Sequence, residues 1–324
     1  MSPLPFPIVG VGASAGGLDA FSKLVAKLPA DFGGSIVFVT HLSPDRESNL
    51  VQILSVFSKL PVSEIAMGVR PERGRIYITP PQADVTFENG VFSLHPRPSR
   101  LLMHLPIDQF FVSIAEEMGP QAIGIILSGT GADGTAGLLA IKGRGGVTFV
   151  QSGDTAKFSE MPLNAGKAIG VADFVLPPEE IAGQLDHICR DPGFLDAKQD
   201  ESFVFDQATL NELFNLLRRE VGVDFSGYKS GTVGRRITRR MVFVRAKSLE
   251  DYVKFLRSNP EETKILFREI LINVTSFFRD PELFMAMETV VFPALLKRHP
   301  EQGGLRIWVP GCATGEEAYS IAIS

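Results

Sequence analysis

Ser14 stands at the tip of PIVGVGASAGGLDAF, between an apolar run and an amphipathic one, in the pattern Gly12-Ala13-Ser14-Ala15-Gly16. G-x-S-x-G spacing makes a sharp strand-to-helix turn whose glycines clear away Cβ clashes. That leaves the hydroxyl beside the first N–H groups of the helix, where an attacked carbonyl could be stabilised. A serine there also caps a helix, so the motif alone supports either role. GVGASA (10–15) also fits the dinucleotide pattern G-x-G-x-x-A, but that pattern wants an acid ending a strand about 20 residues on. Asp31 precedes its strand, so a dinucleotide site is disfavoured. A serine nucleophile needs a base and a group to orient that base. His41 closes the apolar run SIVFVTH, and Asp133 follows another apolar run in LSGTGADG. All three are therefore expected at the C-terminal edge of one parallel sheet, where α/β sites assemble. Their order, Ser then His then Asp, differs from the Ser, acid, His order of the α/β-hydrolases. His95, His104, His187 and His299 fall in loops or helices and are expected to be solvated or structural.

The elements that must position these residues follow from hydrophobic periodicity. PIVGV, SIVFVTH, GRIYITP, AIGIILS and VTFVQ read as strands, several followed by helical stretches such as LDAFSKLVAKL, which is the βαβ pattern of a parallel sheet. DVTFENGVFSLH reads as a hairpin turning at Asn89-Gly90. DPGFLDAKQDES has the composition of a linker, and from Phe203 the chain becomes almost wholly helical. The fold class is a doubly wound, mainly parallel α/β sheet, then a small all-helical domain, then the first strand and helix of an incomplete α/β domain. Net charge runs −7 over residues 1–203 and +4 over 204–300, as two domains with different partners would show. Cys189 and Cys312 form neither a disulfide framework nor a zinc spacing, and no apolar run reaches the ~20 residues of a membrane helix. A cytoplasmic protein with no metal and no direct membrane insertion is expected.

Two further features lie in the second half. SGTVGRRITRRM sets Arg235 with Arg239 and Arg236 with Arg240 at i,i+4, two basic ridges on one helix. Aromatic interleaving is absent there, so nucleic acid is not the expected partner. RIWVPGCATGEEAYSIAI reads as strand, glycine turn and helix, with Glu316 and Glu317 in the first helical turn. Such a turn can hold a nucleotide-like cofactor, although first-turn acids also complement a helix dipole.

Residues 7–190 resemble the catalytic domain of the CheB-type methylesterases through VGVGASAGG, THLSP, GRIYITPP, PIDQFF, ILSGTGADGTAGLLAIKGRGG and EMP (160–162). The resemblance implies Ser14 as nucleophile, His41 as general base and Asp133 as its orienting acid. It implies hydrolysis of glutamyl methyl esters on receptor signalling helices, with glutamine deamidation as a companion activity and no cofactor. Thr130 stands where the family usually has methionine, in a loop that donates a backbone N–H to the oxyanion. No receiver domain precedes Ser14, so control is expected from elsewhere. From about Phe203 the chain resembles the CheR-type receptor methyltransferases through GVDFSGYKSGTVGRRITRRM, NVTSFFRDPELF and GCATGEEAYSIAI. That resemblance implies S-adenosylmethionine binding by Asn273, Thr275, Arg279 and Glu316, and receptor contact by Arg235, Arg236, Arg239 and Arg240. The expected domains are a methylesterase at 1–190, a linker at 191–203, a helical domain at 204–275 and a truncated cofactor domain at 276–324. One strand cannot make a doubly wound sheet, so residues 300–324 are expected to be poorly anchored and the chain not to methylate. The alternative is a non-enzymatic scaffold that only binds receptor helices.

Overall fold

The computed structural model describes residues 4–41, 48–97, 104–167, 171–190, 205–228, 230–271, 277–278, 281–298, 306–312 and 315–324. Contacts divide the chain into one unit over Met1–Ile270 and a second over Leu271–Ser324.

The first unit opens with β1 (Ile8–Ala13), α1 (Gly17–Lys27), β2 (Ser35–Thr40), α2 (Leu50–Phe57), β3 (Val62–Glu64) and β4 (Ile76–Ile78). A hairpin, β5 (Ala83–Glu88) and β6 (Val91–Pro96), leads to α3 (Pro106–Met118) and β7 (Ala122–Ile126). Then come α4 (Thr135–Gly143), β8 (Val147–Gln151), α5 (Glu160–Lys167), β9 (Phe174–Leu176) and α6 (Pro178–Arg190). Seven strands form one sheet in the order β3-β4-β2-β1-β7-β8-β9, and every pairing within it is parallel. The chain starts at the centre, winds outward through β2, then returns to β7 on the other side of β1. The boundary between β1 and β7 is therefore the topological switch point, where the loops part and leave a crevice. The hairpin pairs antiparallel, with Asn89 at φ 53° and Gly90 at φ 79°, the left-handed pair its turn demands. Sequence periodicity misses β3 and β9, whose three residues are too few to show an alternation.

Alternation along β1 sets the two layers. Val9, Val11 and Ala13 face one core with Phe21, Leu24, Ile181 and Leu185; Ile8 faces the other with Phe110, Phe111 and Ile114. Gly12 shares that second face with Ile8, and a Cβ there would come within 2.3 Å of Ile107 Cγ2. Glycine at this position lets the start of α3 rest directly against the central strand.

After the linker, which lies outside the described residues, come α7 (Gln207–Val221), α8 (Ser230–Phe243), α9 (Leu249–Ser258) and α10 (Pro260–Ile270). Asp206 and Ser248 cap α7 and α9 by accepting from Thr209 and Asp251 N–H, and Leu213, Leu217, Ile237, Tyr252 and Leu266 fill the bundle core. Phe243 of α8 joins the sheet's own core, its ring 4.6 Å from that of Phe174.

The second unit holds α11 (Pro281–Ala286), a wider π-type turn over Met287–Val291, α12 (Phe292–Arg298) and α13 (Glu316–Ile323). The helix expected after the glycine turn forms. Arg306–Val309, expected as a strand, has no ladder partner among the described residues, and Trp308 is 87% exposed. A strand with nothing to pair with has no hydrogen bonds to hold it extended.

Candidate active site

The strand register brings the predicted residues to one place. Ala13 pairs with Thr40, so Ser14 and His41 are the next residues along two adjacent strands. Gly12 pairs with Ile126 on the other side of β1, and Asp133 lies in the loop that leaves β7. His41 Nε2 is 2.8 Å from Asp133 Oδ2. Asp133 is buried (4% exposed) yet fully satisfied, because its carboxylate also accepts from Ile107 N–H at 3.1 Å and Asp108 N–H at 2.9 Å. With Nε2 donating to the carboxylate, Nδ1 is the nitrogen left to act as a base. Among the described residues no hydrogen bond closes between Ser14 and His41; such contacts are often long before substrate binds.

The nucleophile turn is braced from β7 and β8. Ser14 N–H donates to Ser128 C=O at 3.0 Å, and Gly17 N–H donates to Ser14 C=O at 2.9 Å. Gly16 supplies the left-handed residue of the turn (φ 74°). Ser128 Oγ donates to Ala15 C=O at 2.9 Å and accepts from Phe158 N–H at 3.0 Å, while Gln151 Oε1 accepts from Ser128 N–H at 2.8 Å. Thr130 stands exposed in the same loop. A cavity of about 550 Å³ opens beside Asp133, lined by Leu105, Asp108, Thr135, Leu139 and Val171.

Sequence reasoning missed several of these residues. Ser128 and Gln151 sit in strand-end segments whose polar content was the available signal. His104, expected to be solvated or structural, is held by a buried carboxylate: its Nε2 is 2.7 Å from Oδ1 of Asp84, and its ring centroid is 6.3 Å from that of His41.

The arginine helix is placed differently from its expectation. Arg239 and Arg240 are 8% and 3% exposed and turned inward, away from the surface that the implied receptor contact would use. Arg239 donates to Gly145 C=O at 3.0 Å, to Gly146 C=O and to Asp173, and lies 3.3 Å from Glu269. Lys142 joins the same cluster through Asp173 and through Glu269 at 2.9 Å, and Arg236 lies 3.5 Å from Glu269. Burial pushes the Asp173 carboxyl up, but the Arg239 and Lys142 cations outweigh it and hold the group below the usual carboxylate range. Arg240 pairs with Glu262 at 2.6 Å, and Glu262 also accepts from Tyr252 Oη. Arg235 lies on α8, its side chain outside the described residues. Buried guanidinium groups need partners, and the nearest acids supplied them.

Asn273, Thr275 and Arg279 lie outside the described residues. Glu316 is the first residue of α13, behind Gly315 at φ 111°. With Glu317 it puts two carboxylates in the first helical turn, which do not by themselves define a nucleotide site.

The first unit thus joins an all-helical bundle to a doubly wound parallel sheet that carries a serine turn and a histidine–aspartate pair at its switch point. The chain belongs to the CheB methylesterase family, whose model, described as CheB methylesterase, matches residues 9–185. Models described as the all-alpha and SAM binding domains of CheR methyltransferase match 208–271 and 273–324. The solved catalytic domain of the Thermotoga maritima CheB methylesterase aligns with a TM-score of 0.53 at 30% identity, covering 58% of this chain and all of that one. A protein-glutamate methylesterase/protein-glutamine glutaminase from Burkholderia pseudomallei is 36% identical over 180 residues, covering 55% of this chain and 52% of that protein. An uncharacterized 104.1 kDa protein of Rhodobacter capsulatus is 35% identical over 295 residues, covering 85% of this chain and 31% of that protein. The chain thus spans about half the length of the methylesterase relative and about a third of the Rhodobacter protein.

Proposed function

We propose that the sheet domain hydrolyses glutamyl methyl esters on receptor-like signalling helices in the cytoplasm by a Ser-His-Asp mechanism. The observation that carries this is the 2.8 Å His41–Asp133 pair beside Ser14, on adjacent strands in register. Ser14 Oγ attacks the ester carbonyl as its proton passes to His41 Nδ1. Asp133 holds the imidazole and stabilises its charged form. Backbone N–H groups at the start of α1 and at Thr130 face the developing oxyanion. The imidazolium returns its proton to the leaving methoxide, which departs as methanol. A water, deprotonated by His41, then cleaves the acyl-serine and frees the glutamate. Glutamine deamidation runs through the same steps with ammonia leaving, and the double name of the Burkholderia relative supports it. The second unit resembles the front of a cofactor domain, and we read it as unable to methylate by itself: among the described residues it holds helices and no sheet to build a pocket on. Methanol release from methyl-esterified receptor helices tests the esterase. Turnover by the wild type and its loss in Ser14→Ala is expected; equal release by both would exclude Ser14 as nucleophile, and binding without turnover would favour the scaffold.

A further inference from the structure

The starts of α3 and α4 meet almost backbone to backbone. A Cβ on Gly137 would lie 2.5 Å from Phe111 Cβ and 3.1 Å from Asp108 Cα. Neither helix is capped by its own leading residue: Leu105 and Gly134 supply no side-chain acceptor. Each helix takes a carboxylate from the other instead. Asp133, in the turn before α4, accepts Ile107 and Asp108 N–H from the first turn of α3. Asp108, in that same first turn, accepts Gly137 N–H from α4 at 2.6 Å, and the Gly134 and Ala136 N–H groups also act on it. A helix start leaves up to four N–H groups unpaired and carries partial positive charge, so each carboxylate binds several donors at once. Asp108 is half-buried. Burial and the nearby Asp133 charge push its carboxyl up, against the pull of those N–H groups.

We infer that Asp108 is a positioning residue of the hydrolytic site, which clamps the start of α4 and thereby fixes the Asp133 carboxylate against His41. Asp108 need touch no reacting atom for this. Its displacement lets the Asp133 turn relax, and the imidazole then loses the orientation that the serine requires. Misplacement by about 1 Å at such a distance costs on the order of 100-fold in rate.

The inference rests on the esterase reading above. It is tested on the full chain with Asp108→Ala, which removes the acceptor, and Asp108→Asn, which keeps an uncharged one. Active sites are counted with a serine-directed phosphonate, so that kcat refers to folded enzyme. The expected order is a loss of about 10- to 100-fold for Ala and about three- to tenfold for Asn, with KM unmoved. The imidazole N–H resonance of His41 should shift in the same order. Wild-type kcat and an unmoved His41 resonance in both folded variants would overturn the inference; if Ala does not fold, Asn decides on the same two readouts. A wild type that releases no methanol would remove the esterase reading instead, and the His41 resonance alone would then decide the role of Asp108.

Discussion

The two ends of α4 hold buried carboxylates in opposite ways. At its start, Asp133 is held by backbone N–H groups and by one imidazole. At its end, Lys142 meets Asp173 and Glu269, which are held by the side-chain cations of Lys142, Arg239 and Arg236. About 13 Å of helix separates the two arrangements. Dipoles from N–H groups satisfy a carboxylate without cancelling its charge, so Asp133 keeps a full negative charge to offer the imidazole. Direct cations cancel the charge, so Asp173 and Glu269 fasten the bundle to the sheet and have nothing left for chemistry. The site lies at the C-terminal edge of the sheet, whereas the ionic joint lies at the N-terminal edge, where Gly145, Gly146 and Asp173 precede β8 and β9.

Substitutions can break this contrast at either end. Asp133→Asn keeps the shape but donates where the imidazole needs an acceptor. It is expected to lower kcat about 10⁴-fold with little change in KM, measured by methanol release. A loss under tenfold would mean that the dipole-held carboxylate does no more than cap α3. Arg239→Ala leaves Asp173 and Glu269 short of a cation in a dry setting. It is expected to destabilise the first unit by about 3–5 kcal/mol in denaturant titrations, with kcat unchanged at 25 °C. A fall in kcat at full occupancy of the folded state would show that the joint reaches the site.

Acid sharpens the same comparison. The Asp173 carboxyl is depressed in the folded chain, so its contribution is fully present above the unfolded value near pH 4. It is lost as pH falls through the folded value. Unfolding midpoints should therefore drop below pH 4 in the wild type and drop less in Asp173→Asn. Arg190, which pairs with Asp31 and Asp186 on the surface, is the small-effect control. Arg190→Ala is expected to leave the denaturation midpoint within error, since exposed pairs are screened.

Much of this was legible in the residues. Apolar runs ending in Ser14, His41 and near Asp133 placed the three candidate residues at one sheet edge, and parallel pairing did the rest. Asn89-Gly90 announced its hairpin through the φ values that only such residues adopt readily. The role of Asp108 was hidden, because it depends on two helix starts meeting across 25 residues of chain. The arginine helix misled for a related reason. An i,i+4 spacing shows which side chains share a face, but not whether that face meets water or a neighbour's acids. Arg239 found Asp173, 66 residues away, and local pattern carries no record of such a partner.

Labelling of the full chain with a fluorophosphonate, read by peptide mass, asks of the molecule itself whether Ser14 is the nucleophile and His41 its base. One adduct per chain is expected, on Ser14, lost in Ser14→Ala and slowed by orders of magnitude in His41→Ala. Labelling of another serine, or labelling of Ser14 at the same rate without His41, would contradict it.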